Sequence, residues 1–146
     1  MKIKNVLKSK GPEVFTISED KNVLQAMALI VANRIGSLIV INDEAKITGI
    51  ISERDALKVC FENPNNFAEI AVNQVMTKSI IFAEPEDEVD YVLGIMTKNK
   101  FRHVPVMKEG SLIGIVSIGD LVKVQLNEMH IENKYLMEYI HGQATT

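Results

Sequence analysis

The sequence predicts a mixed α+β fold in which two β-α-β-β-α units, related by a pseudo-twofold, pack sheet to sheet. Three observations predict it. The chain is written twice: Ile3-x-x-Val6-Leu7 returns as Val72-x-x-Val75-Met76, and Val23, Ala26, Met27 and Ile30 return as Val89, Val92, Leu93 and Met96. Gly49-Ile50 likewise returns as Gly114-Ile115, and the spacing between copies shifts only at residues 9–13 and 42–46, where exposed turns tolerate insertion. Within each copy, short apolar runs alternate with apolar residues at three- and four-residue spacing, the periods of strand and helix. Finally, at 146 residues in all, one copy is too small to bury both faces of its own sheet. By sequence, the first copy spans 1–66, the second 67–124, and a C-terminal helix and tail 125–146.

The elements follow in order. A strand at 14–17, and its counterpart at 80–83, precede cap-like segments, Ser18-Glu19-Asp20 and Pro85-Glu86-Asp87. Helices follow at 23–31 and 89–96. The middle strands are 35–41 and 101–106, and the run SLIVI implies burial on both faces. Pro105 has no N–H to give, so it is expected to open the ladder there. Polar turns, NDEAK and KEGS, lead to strands ending in GIISERD (49–55) and GIVSIGD (114–120). A second helix starts at Glu53, stopped by Asn63-Pro64, and another at Gly119. Residues 120–140 lack glycine and proline. Leu121, Val124, Met129, Ile131, Leu136 and Ile140 give this helix an apolar side for its own core or a dimer interface, with 143–146 frayed.

Composition narrows the function classes. With 47% apolar and 24% charged residues the chain is globular, and its net charge of −3 argues against gripping a nucleic-acid backbone. Cys60 is the sole cysteine, so there is no internal disulfide, and it reads as a small core hydrophobe. No apolar run spans a bilayer and no signal peptide is evident, so the expectation is a soluble, cytoplasmic protein. His103, His130 and His141 with Cys60 lack ligand spacing, so no metal site is expected. Walker loop, GxGxxG, HExxH and serine-triad patterns are missing, so no enzyme is expected.

The repeated Ser-x-x-Asp admits two readings. As a capping box, Ser52 or Ser117 takes the N–H three residues on, and Asp55 or Asp120 reaches back to the serine N–H. As a ligand site, a helix N-terminus after a buried strand offers N–H donors and partial positive charge to a phosphate, while the aspartate accepts from paired hydroxyls such as those of ribose.

On these two units, with Val75-Met76-Thr77 and Arg102-His103-Val104-Pro105-Val106, the chain from about Ile3 to Lys123 resembles a tandem pair of CBS domains, a Bateman module, in a small stand-alone form. The resemblance implies a non-catalytic regulatory sensor that binds an adenosine-containing ligand (AMP, ADP, ATP, NADH or S-adenosylmethionine) in the cleft between the units. It maps ribose to Asp55 and Asp120, phosphate or ribose to Ser52 and Ser117, and phosphate to Arg102 and His103. The base falls to Val14 and Phe15 and to Ser79 and Ile80. The first copy has Gly36-Ser37 where the second has Arg102-His103, so its phosphate would need Arg102, His103, Arg54 or Lys10. Glu53 would repel phosphate if it pointed inward, and Phe82 stands where Thr16 keeps a hydroxyl. The Asp120 side is therefore expected to be the occupied one. A homodimer acting on an unknown target protein is implied, with no direct nucleic-acid or membrane contact. The competing reading is a dimeric scaffold that needs no ligand.

Overall fold

Those periods become defined elements in the computed structural model, which describes residues 1–11 and 13–145, and side chains through Ile140. They are α1 (Ile3–Lys10), β1 (Thr16–Ser18), α2 (Val23–Asn33), β2 (Ser37–Ile41), β3 (Ile47–Ser52), α3 (Glu53–Glu62), α4 (Val72–Val75), α5 (Val89–Asn99), β4 (His103–Lys108), β5 (Ser111–Ser117) and α6 (Ile118–Thr145), with a 3₁₀ turn at Phe67–Glu69. The fold is α+β, with one sheet ordered β1-β2-β3 and another β4-β5. Packing divides the chain into a central unit, Glu13–Phe82, and a terminal unit made of Met1–Pro12 and Ala83–Thr146. The copies at 1–66 and 67–124 are thus a different partition from the packing units. The opening segment of each copy is built into the unit formed by the rest of the other.

In the central unit, β1 runs parallel to β2 and β2 antiparallel to β3. Between two neighbours, β2 is sealed: Leu38, Ile39 and Val40 are wholly buried, as the apolar run predicted. The crossover helix α2 starts on a capping box, in which Asn22 accepts from the Gln25 N–H and Gln25 from the Asn22 N–H. The cap is therefore Asn22 and not the predicted Ser18-Glu19-Asp20 segment, whose residues lie in and just after β1. α2 turns Ala26 and Ile30 toward Ile17, Leu38, Val40, Ile51 and Val72. Val23 joins Ala56 and Val59 of α3 in a second cluster. Cys60 sits half-buried with its thiol 3.3 Å from the Met27 sulfur.

The segment before and within α4 completes this unit. Val72 N–H donates to the Lys21 carbonyl at 2.7 Å, Asn73 N–H to Glu19 at 3.1 Å, and Val23 N–H to Ile70 at 2.9 Å. The first two bonds engage the opening amides of α4 and the third the opening amide of α2, all of which lack an intrahelical partner. Thr77 then pairs with Ile50, N–H to carbonyl in both directions, on the open side of β3.

The terminal unit repeats the scheme with α1 in the role of α4. Ile3 N–H donates to the Asp87 carbonyl and Lys4 N–H to Pro85, both at 2.9 Å, while Val89 N–H returns to Met1. Ile3 and Val6 are buried against Val89, Val92, Met96, Val104, Val116 and Leu121. The predicted cap Pro85-Glu86-Asp87 is a turn, in which Asp87 accepts from the Glu84 N–H, and Glu88 takes the N-cap position of α5 with no side-chain cap bond.

The strand predicted at 80–83 does not form; a single parallel bridge joins Ala83 to Val106. Ala83 N–H donates to the Pro105 carbonyl and Met107 N–H to Ala83, both at 2.9 Å. The next rung toward Ile81 needs the amide of residue 105, and the rung beyond needs that of residue 85. Both are prolines. In the central unit the corresponding amide, Ile39, donates to Phe15 at 3.1 Å and the ladder runs on.

The repeated glycine of the two motifs has its cause in the same docking. A Cβ on Gly114 would lie 2.6 Å from a Leu7 methyl, and one on Gly49 would lie 2.5 Å from the Met76 sulfur and 2.9 Å from the Thr77 carbonyl. In each unit a bare backbone lets the docked segment approach the strand.

Candidate functional site

Both Ser-x-x-Asp units are closed capping boxes. The Ser52 hydroxyl accepts from the Asp55 N–H at 3.1 Å, and Asp55 accepts from the Ser52 N–H at 3.0 Å. At the head of α6, Ser117 and Asp120 make the same pair of bonds at 3.0 and 2.9 Å. The residues that open each helix are held from the neighbouring strand's edge, Glu53 N–H by the Gly36 carbonyl and Ile118 N–H by the Arg102 carbonyl. Much of the donor capacity expected of an open helix N-terminus is thereby used internally. Among the described residues, the amides of Arg54 and Gly119 have no such partner.

Pairing across the hairpins sets what faces each turn. Ser37 lies opposite Ser52, and His103 opposite Ser117, so the alignment of Gly36-Ser37 with Arg102-His103 holds in three dimensions. The two turns differ in charge. At the terminal turn, Lys10 ends α1 and its ammonium reaches the Asp120 carboxylate at 2.6 Å and the Ile115 carbonyl at 2.9 Å. Partial burial pushes the Asp120 carboxyl up. Hydrogen bonds from Lys10 and Ser117, with the Lys10 charge, outweigh it and hold the carboxyl below its ordinary range. No ion pair holds Asp55 among the described residues.

The structure thus brings Arg102, His103, Ser117 and Asp120 together in the terminal unit with Lys10. Arg102 is exposed and His103 half-buried. Val14, Ser52, Arg54, Asp55, Ser79 and Ile80 belong to the central unit. There Ser52 and Asp55 are half-buried, Arg54 and Glu53 are exposed, and Val14 and Ile80 are half-buried in irregular backbone. Ser79 is exposed, and the strand that was to carry it and Ile80 is not formed. Lys10, expected as an auxiliary for the first copy's phosphate, is instead the partner of the second copy's aspartate. Aligning Ile3-x-x-Val6 with Val72-x-x-Val75 sets Lys10 against Ser79 and so limits the cation to one turn, but which turn depends on the unit that receives α1. The surface or interface position expected of His141 lies outside the described side chains; the fraying expected at 143–146 is not seen through Thr145, where α6 continues, and Thr146 lies outside the described residues.

Among the described residues there is no cluster of metal-ligand type, and no helix is long and apolar enough to cross a membrane. A groove of about 360 Å³ lies elsewhere, between α1 and α6, lined by Asn5, Lys8, Val124, Asn127, Glu128 and Ile131 among others.

Two sheet-and-helix units, each with a strand that ends in a capped Ser-x-x-Asp helix start, define a class of paired α+β repeats. The chain belongs to the CBS-domain family, whose model matches residues 5–62 and 72–127. It is similar to the CBS domain-containing protein CBSX3, mitochondrial, of Arabidopsis thaliana, with 32% identity over 96% of this chain and 72% of that one. Among solved structures it resembles the CBS-domain containing protein ATU1752 from Agrobacterium tumefaciens, with 34% identity, 86% of this chain and 99% of that chain covered, and a TM-score of 0.81. The fold also matches the CBS domain pair of protein MJ0100, solved in complex with 5′-methylthioadenosine and S-adenosyl-L-methionine. That match has 22% identity, covers 88% of this chain and 98% of that one, and has a TM-score of 0.77.

Proposed function

We propose that this protein is a non-catalytic regulatory sensor that binds an adenosine-containing ligand at its terminal Ser-x-x-Asp turn. The observation that carries the reading is the polar constellation there. Asp120 is a half-buried, ionised carboxylate fixed by Ser117, and His103 stands opposite that serine with Arg102 beside it. Lys10 donates to the same carboxylate oxygen that accepts from the Ser117 N–H. Ribose hydroxyls are the natural donors to such a carboxylate, and Arg102, His103 and Lys10 supply charge for a phosphate or carboxylate tail. The ligands named for MJ0100 share the adenosine group and support the class. AMP, ADP, ATP, NADH and S-adenosylmethionine are all candidates within it. The protein acts as a homodimer on a target protein, in the cytoplasm, and does no chemistry on its ligand.

Titration calorimetry with AMP, ATP, NADH and S-adenosylmethionine tests the reading. Binding is expected in the micromolar to millimolar range, about −8 to −4 kcal/mol, with loss of at least tenfold in Asp120→Ala. A ligand that binds the folded state must also raise the melting temperature with concentration. Heat and melting curves unchanged by all four compounds would leave the ligand-independent scaffold in its place.

A further inference from the structure

α6 carries more apolar surface than its own unit covers. Leu121 is buried, and Val124 packs against the same core. Farther along, Leu126, Met129, Leu136 and Ile140 are 50%, 57%, 55% and 57% exposed. They do not continue the core-facing stripe. Together with Val122 they advance alternately by four and three residues, a heptad seam about a third of a turn away from Leu121 and Val124. The seam has one polar member, Asn133, and runs from Val122 to Ile140, roughly 28 Å of helix.

We propose that α6 pairs in parallel with α6 of a second copy of this chain through Val122, Leu126, Met129, Asn133, Leu136 and Ile140, with Asn133 facing its twin. The proposal deepens the homodimer part of the functional reading and rests on it. A seam whose apolar positions repeat every three and four residues is self-complementary, so a second copy is the partner that fits it without further design. Orientation follows from the polar residues. In parallel register the two Asn133 amides donate to and accept from each other. In the antiparallel register the seam also interlocks, Val122 on Ile140 and Leu126 on Leu136. It then sets Asn133 against Met129, where a buried amide lacks a partner, and brings Glu132 against its own copy. Both penalties disappear when the helices run the same way. Tyr139, one residue before Ile140, flanks the seam and adds an aromatic side chain of a type that buries about 150–250 Å².

Sedimentation of the full chain, of Leu136→Lys and of Glu138→Lys is the first experiment. Leu136 is largely exposed and its replacement leaves the monomer folded, while Glu138 lies on the opposite side of the helix. The wild type and Glu138→Lys are expected at dimer mass, and Leu136→Lys at monomer mass with at least a tenfold weaker association. A dimer that survives Leu136→Lys overturns the seam but leaves the homodimer reading standing; a monomeric wild type overturns both. Orientation is read by disulfide trapping in a Cys60→Ala background. Leu136→Cys is expected to cross-link to itself. Cross-linking of Val122→Cys to Ile140→Cys in a mixture, or no link at Leu136→Cys, overturns the parallel pairing.

Discussion

Lys10 and Asp120 meet at 2.6 Å with about a third of each side chain in solvent, so their pairing is screened but not negligible. A carboxyl held below its ordinary range stabilises the fold when ionised. That contribution is complete above the unfolded-state pKa and is lost as pH falls through the lower folded value. Replacing Lys10 with Met is therefore expected to cost roughly 1 kcal/mol at neutral pH, between the worth of an exposed ion pair and that of a charged hydrogen bond. The gap to wild type should close on acidification through the carboxylate range. Urea melts of both proteins across that range measure it, and a gap that stays constant with pH would show that Lys10 matters for packing alone. On the proposed reading the same contact bears on ligand binding, because a ribose at Asp120 would have to share or displace the ammonium. The capping roles of Ser52, Asp55, Ser117 and Asp120 were legible in the sequence because a capping box is local, complete within four residues. The Lys10 contact joins residues far apart in sequence and depends on which unit receives α1, which no local pattern records.

At the scale of elements, the two repeated glycines look alike in sequence and differ in what they approach. At Gly114 the obstacle to a side chain is the end of Leu7, which can rotate. At Gly49 it is Met76 together with the Thr77 carbonyl, which is bonded to the Ile50 amide at 3.0 Å. Gly49→Ala is expected to cost about 1–3 kcal/mol, the usual range for overpacking, and Gly114→Ala less. Equal midpoints for the two variants in denaturant would contradict that ordering. Element type was legible for α2, α5, β2 and β4 because each carries a clear apolar period. The strand expected at 80–83 failed for a reason also written in the sequence: Ile80 and Ile81 favour extended backbone, but Pro105 and Pro85 remove the amides needed on either side of the bridge at Ala83. Apolar pattern identified a strand, and donor accounting across to its partner decided that it would not propagate.

For the whole molecule, the repeat was plain in the sequence, and the packing partition was not. Similarity between copies reports common ancestry of segments, whereas a packing unit is defined by which segment satisfies which backbone groups. A break after residue 66 would separate the central unit from Val72, which is wholly buried in it, and from the Lys21, Glu19 and Ile50 partners of residues 72, 73 and 77. It would also leave Ile3 and Val6 without the α5 and β5 residues that cover them. A fragment of residues 13–82 keeps every one of the central unit's contacts named above and carries nothing foreign to it. Both fragments are near the lower size limit for independent folding, so the missing core residues decide the outcome. The 13–82 fragment is expected to unfold cooperatively in urea, with a sigmoidal loss of helical circular dichroism. The 1–66 fragment should give a shallow, baseline-like change, with exposed apolar surface that binds a hydrophobic dye. The reverse result would mean that the sequence copy is itself the folding unit, and that the segment containing α4 only rests on a core already formed without it.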